Sequence, residues 1–161
     1  MLRYLIITLI LLNTSAAWSD TLHGKIVGVS DGDSVTVIDG DLTQHKIRLA
    51  GIDAPEQGQP FGQASKRSLS ELVFNKIVTI DWSKKDRYGR IVGKVLVNGL
   101  DANLEQVKLG LAWFYKEYQN ELNLDDRLAY LDAHEEAMTA KKGLWIEPTP
   151  IAPWDWRKAV R

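Results

Sequence analysis

The first half of the chain alternates short β-rich runs with clusters of Gly and Asp. Residues 23–29 (HGKIVGV), 34–39 (SVTVID) and 43–49 (TQHKIRL) are rich in Val, Ile and Thr, which suits consecutive antiparallel strands with a half-buried face. Between the second and third runs stands Asp39-Gly40, the dipeptide favoured where a tight hairpin needs positive φ. A helix is predicted over 59–74, with Ala64, Leu69, Leu72 and Val73 near helical spacing and Lys66, Arg67 and Glu71 on other faces. The β pattern returns at 76–82 (KIVTIDW) and 91–97 (IVGKVLV), joined by the basic segment SKKDRYGR at 83–90. Leu104, Val107 and Leu111 mark one face of a second helix. Leu124, Leu128, Leu131 and Met138 mark a third, which stops at Gly143 after Lys141 and Lys142. The fold class expected is α+β, mainly β: a five-stranded barrel of the oligonucleotide/oligosaccharide-binding (OB) type with three helices.

Residues 1–19 stand apart from this pattern. Arg3, the apolar run 5–12 (LIITLILL) and the small polar segment 13–19 (NTSAAWS) read as a secretory signal peptide, cleaved after Ala17 or Ser19. The run is much shorter than the roughly 20 residues of a membrane-crossing helix. Residues 20–161 then form a single domain with a short Pro/Trp-rich tail at 148–160, expected to pack over the barrel, with partner binding as the alternative. The expected product is an exported, soluble monomer, secreted or periplasmic. The chain of 161 residues has no cysteine, so its stability rests on an ordinary core rather than on disulfides. Removing residues 1–19 takes away Arg3 and no acid, which leaves 19 basic against 21 acidic residues. Bulk basicity therefore cannot hold a polyanion, and any such partner must meet locally concentrated positive charge.

The triplet Asp-Gly-Asp occurs twice, at 31–33 and 39–41. The second is a turn by the argument above. The first fails as an EF-hand start, because Val35 and Thr36 stand where that loop needs Asp or Asn and then Gly. It is either a polar bend without a ligand or a place where Asp33 joins a distant carboxylate around a hard cation. Downstream, IRLAGIDAPE (47–56) sets Arg48 on an apolar strand and Asp53 and Glu56 on a proline-stiffened bend. An unpaired buried charge costs several kcal/mol, roughly, so Arg48 needs a partner, faces a site, or reaches water at the barrel rim. DRYGR (86–90) is a solvated hairpin loop or a strand end aiming Arg90 and Tyr88 at phosphate.

DGDS at 31–34, IRLAGIDAPE at 47–56 and DRYGR at 86–90, in that order and spacing, resemble the thermonuclease family, and residues 20–161 resemble a staphylococcal-nuclease-like domain. Ala102-Asn103-Leu104, Gly110-Leu111-Ala112 and Gly143-Leu144-Trp145 extend the resemblance. It implies a nuclease that binds Ca²⁺ and cuts DNA and RNA, single-stranded or denatured by preference, with little sequence specificity and with 3′-phosphate products. By the same resemblance Asp33 and Asp53 are metal ligands, Ala54 lends its carbonyl, Arg48 and Arg90 are catalytic arginines and Glu56 is the general base. Arg87 and Tyr88 correspond to a pair that holds a terminal phosphate. Tyr118 rather than Tyr115 corresponds to a pocket tyrosine that can stack on a base, while Lys116 replaces a further tyrosine and His134, on the last helix, has no assigned role.

Two other classes compete with the enzyme. One is a catalytically inactive OB-fold module that binds single-stranded nucleic acid or a protein, and the other is a structural calcium-binding module. An inactive barrel is expected to lose some of Asp33, Arg48, Asp53, Glu56 and Arg90, and all five are present. A structural module leaves both arginines without purpose.

Overall fold

The structure is a computed structural model that describes residues 20–160; the segment read as a signal peptide lies outside them. In chain order the strands are β1 (Asp20–Val29), β2 (Ser34–Ile38), β3 (Gln44–Leu49), β4 (Ile52–Asp53), β5 (Ile77–Lys85), β6 (Ile91–Val97), β7 (Leu100–Asp101) and β8 (Trp113–Phe114). The five long ones follow the order β3-β2-β1-β5-β6, antiparallel throughout, and β3 closes the sheet on β6 in parallel. That closure removes the exposed edges. Ile26, Val37, Ile47, Leu49, Ile80 and Val95 fill the interior without solvent contact. The five-stranded barrel expected from the pattern is the fold observed.

Helices α1 (Gly62–Val73), α2 (Ala102–Lys108) and α3 (Leu124–Thr139) occupy the predicted places, and α4 (Pro153–Ala159) adds a fourth within the Pro/Trp-rich tail. α1 begins later than expected, because Phe61 takes a left-handed conformation, φ 66°, and Gly62 lies against the backbone of Glu56. Leu69 and Val73 are buried as the spacing requires, whereas Ala64 is exposed. The face of α3 differs from the leucine stripe. Tyr130, Ala133 and Ala137 are buried while Leu124, Leu128 and Met138 are exposed. Small side chains let α3 lie close against its neighbours, and the Tyr130 hydroxyl donates to Asp101 at 2.8 Å.

The second Asp-Gly-Asp triplet is a turn, held by Asp39, whose Oδ1 accepts from the backbone N–H groups of Asp41 at 3.0 Å and Thr43 at 2.8 Å. Its positive φ falls on Leu42, at 60°, and not on Gly40. Two buried amides of α2 fix the first triplet and the exit of β3. Gln106 Nε2 donates to the Gly32 carbonyl at 2.9 Å and to the Ser65 carbonyl at 3.0 Å. Asn103 accepts from Val95 N–H at 3.1 Å and donates to the carbonyls of Ala50 and Gly93, each at 3.2 Å. One helix thus ties the DGDS loop, α1 and the exit of β3 together.

Candidate active site

Asp33 stands at the start of β2 and joins the two acidic motifs. Its Oδ2 accepts the Ala54 N–H at 2.8 Å and its Oδ1 the Ser34 hydroxyl at 2.9 Å. Asp53 follows on β4, whose pairing with β8 sets it opposite Trp113. Both carboxylates are buried, 8% exposed for Asp33 and 5% for Asp53. Glu56, past the Pro55 bend, is half-buried.

Arg48 sits across from Ser34 in the β2–β3 register and finds the partner that its burial demands. Nη1 donates to Glu121 Oε2 at 3.0 Å, Nη2 to the Ile52 carbonyl at 3.0 Å, and the guanidinium lies 4.5 Å from the centre of the Tyr118 ring. Glu121 also accepts the Gly51 N–H at 3.0 Å and pairs with Lys84 at 3.1 Å. The opposite wall is built by the β5–β6 hairpin. There Asp86 accepts from Arg90 Nε at 2.7 Å, and Arg87 and Arg90 flank the Tyr88 ring at 5.2 Å and 5.7 Å.

All nine residues singled out from sequence, Asp33, Arg48, Asp53, Ala54, Glu56, Arg87, Tyr88, Arg90 and Tyr118, line one cleft of about 310 Å³. Asp31, Ser34, Pro55 and Arg157 complete its wall. Arg157, on α4, forks across the acids: Nη2 meets Asp53 Oδ2 at 2.7 Å, while Nη1 meets Asp53 Oδ1 at 3.1 Å and Glu56 Oε1 at 2.8 Å. Tyr118 offers less than a free stacking face, since Arg48 already lies over its ring. Tyr115 packs edge-on against Tyr118 and stacks on Trp154.

The carboxyls crowd one side of the cleft. Burial, reinforced by the charge of Asp33, pushes Asp31 up to about 7. Burial likewise lifts Asp53 to about 6, against the opposing pull of the Arg157 hydrogen bonds and with a further push from Asp33. Such a cluster of acids gains from a cation, and its donors are all oxygen, the chemistry of a hard divalent ion. Among the described residues, however, no three acidic or imidazole side chains are grouped closely enough to hold an ion as they stand. The donor types fit calcium, with Arg157 already on Asp53 and Glu56.

Two members of this arrangement carried no usable signal. Glu121 ends a 3₁₀ segment, Lys116–Glu121, and only the requirement that Arg48 have a counter-charge pointed toward it. Arg157 sits in a tail whose aromatic composition spoke of packing, not of the cleft.

The barrel with an acid- and arginine-lined cleft at its mouth defines an OB-type domain of nuclease character. The family model described as "Staphylococcal nuclease homologue" matches residues 46–147, and the chain belongs to that family. A protein named "Uncharacterized endonuclease" from Escherichia coli is 38% identical over 158 residues, covering 98% of both chains. One of the same name from Haemophilus influenzae is 42% identical over 134 residues, 83% of this chain and 72% of the relative. A "Micrococcal nuclease" from Shigella flexneri is 34% identical over 169 residues, 99% of this chain and 94% of the relative.

Proposed function

We propose that this protein is a calcium-dependent nuclease that hydrolyses phosphodiester bonds of DNA and RNA with little sequence specificity. The observation that carries the reading is the meeting of Arg48, on β3, and Arg90, in the loop just before β6, in the cleft that holds Asp33, Asp53 and Glu56. Family membership, with relatives named as endonucleases and a micrococcal nuclease, supports it.

Attack of water on a phosphodiester adds negative charge to the equatorial oxygens. Two forked guanidinium groups, held in place by Glu121 and Asp86, present preorganised donors to that charge. Glu56 takes the proton of the attacking water, a task for a half-exposed carboxylate within hydrogen-bond reach. Arg87 and Tyr88, exposed at the hairpin tip, hold a neighbouring phosphate, and Tyr118 borders the space for a base. Asp33, Asp53 and the Ala54 carbonyl are the groups that would hold calcium, which supplies Lewis-acid charge when bound. The substrate is preferentially single-stranded or denatured nucleic acid, and the protein acts as a monomer, exported with its signal peptide removed after Ala17 or Ser19.

The test is product analysis on defined DNA and RNA oligonucleotides with Ca²⁺, Mg²⁺ and chelator side by side. Cleavage with calcium that stops with chelator is expected. Undiminished cleavage in excess chelator removes the metal assignment, and no cleavage under any condition leaves a binding module.

A further inference from the structure

The C-terminal helix α4 lies beyond the span that matches the family model, yet its Arg157 lines the cleft. It is seated firmly on one side. Ala152 and Pro153 are buried, and the Gln59 side chain donates to the Ile151 carbonyl at 2.6 Å. Trp154 stacks on Tyr115 with centroids 4.5 Å apart and planes at 12°, and meets Trp113 edge-on at 5.4 Å. Arg157 stands three residues on, on the same helical side as Trp154, which aims its guanidinium at Asp53 and Glu56.

This contact is a two-pronged, charge-assisted pair, the strongest arrangement that a guanidinium makes with carboxylates. Both oxygens of Asp53 are engaged, and Asp53 is too buried to turn away, its side chain being 7% exposed against 39% for Arg157. A divalent ion drawn to the same carboxylate would meet a positive group already in place. The arginine is the partner with somewhere to go, since its long side chain can swing into solvent while Trp154 keeps the helix docked.

We propose that Arg157 is a built-in cation that occupies the acidic side of the cleft and must be displaced before calcium takes Asp53, so that α4 sets the calcium level at which the protein loads. The proposal rests on the reading of Asp33 and Asp53 as cation ligands. A cation that competes for a ligand weakens apparent affinity by the fraction of time the ligand is available. If the arginine occupies Asp53 about nine-tenths of the time, its removal tightens calcium binding roughly tenfold.

The experiment is calorimetric titration of calcium into the full domain, wild type, Arg157→Gln and Asp33→Asn, without nucleic acid. Tighter binding by Arg157→Gln, about tenfold, with binding lost in Asp33→Asn, is the expected result. Equal or weaker binding by Arg157→Gln overturns the latch while leaving the metal site standing. Binding by neither wild type nor Arg157→Gln removes the site and the latch with it. Arg157 is partly exposed on the last helix, and Asn at 33 keeps the shape of the buried Asp33 and an oxygen to accept the Ala54 N–H. Unfolding curves with a single cooperative transition for both variants are expected, which keeps a loss of binding from being a loss of fold.

Discussion

Arg48 and Glu121, 73 positions apart in the chain, form an ion pair at 3.0 Å with both side chains less than a tenth exposed. The pair anchors a guanidinium inside a barrel wall while leaving it at the cleft. Glu121 does this from a segment with no regular helix of its own, because Gly51 N–H and Lys84 hold its carboxylate from two further directions.

Glu121→Ala therefore leaves Arg48 buried without its counter-charge. Breaking a buried pair from one side costs about 3 to 5 kcal/mol. Urea unfolding should show a loss of that size, and a loss below about 1 kcal/mol would mean that Arg48 finds water or another acid.

Arg90 is different, since it lies at the partly exposed end of the hairpin and its pair with Asp86 is local. Arg90→Ala is expected to lower turnover by roughly 10²-fold or more, as expected for loss of a charge-stabilising donor, with the urea midpoint nearly unchanged. Turnover at the wild-type level would reduce DRYGR to a hairpin loop.

The two Asp-Gly-Asp triplets should respond to the same substitution by very different amounts. A methyl group at Gly32 would collide with the Ser65 side chain and crowd Ala54, whereas one at Gly40 meets nothing within 4 Å. Gly32→Ala is expected to destabilise by about 1 to 3 kcal/mol, the range for overpacking, and Gly40→Ala by less than about 0.5 kcal/mol. Paired denaturation curves decide it.

His134 accepts the Phe114 N–H at Nδ1, 3.3 Å away. Burial, with the charge of Lys116, holds its pKa down at about 4 against 6.5 for an ordinary imidazole. Between those values the unfolded chain takes up a proton that the folded one refuses, so stability falls as pH falls through this window. Asp31 and Asp53, raised by burial, work the other way in the same range. The measurement is therefore a difference: on going from pH 7 to 5, wild type should lose on the order of 1 to 2 kcal/mol more than His134→Asn, allowing for partial exposure. Parallel pH curves for the two proteins would show that the ring is protonated in the fold.

The strands were legible because a barrel strand writes its inside and outside into alternate positions, and Val35, Val37, Ile47 and Leu49 do so plainly. The acids and arginines of the cleft were legible as motifs because each lies within a few residues of a turn that its neighbours require. The face of α3 was not. Its apolar stripe of leucines competes with a stripe of alanines and one tyrosine, and which stripe turns inward depends on how closely α2 allows it to approach.

The residues alone determined the five-stranded barrel, the turn at Asp39 and most of the acids and arginines that line the cleft. Tertiary structure alone decided that Glu121 steadies Arg48 and that Arg157 lies across Asp53 and Glu56, more than a hundred positions from either. The physical reason is range: backbone preference and hydrophobic period act over a few residues, whereas a charge finds its partner only after the chain has closed and water has been excluded between them.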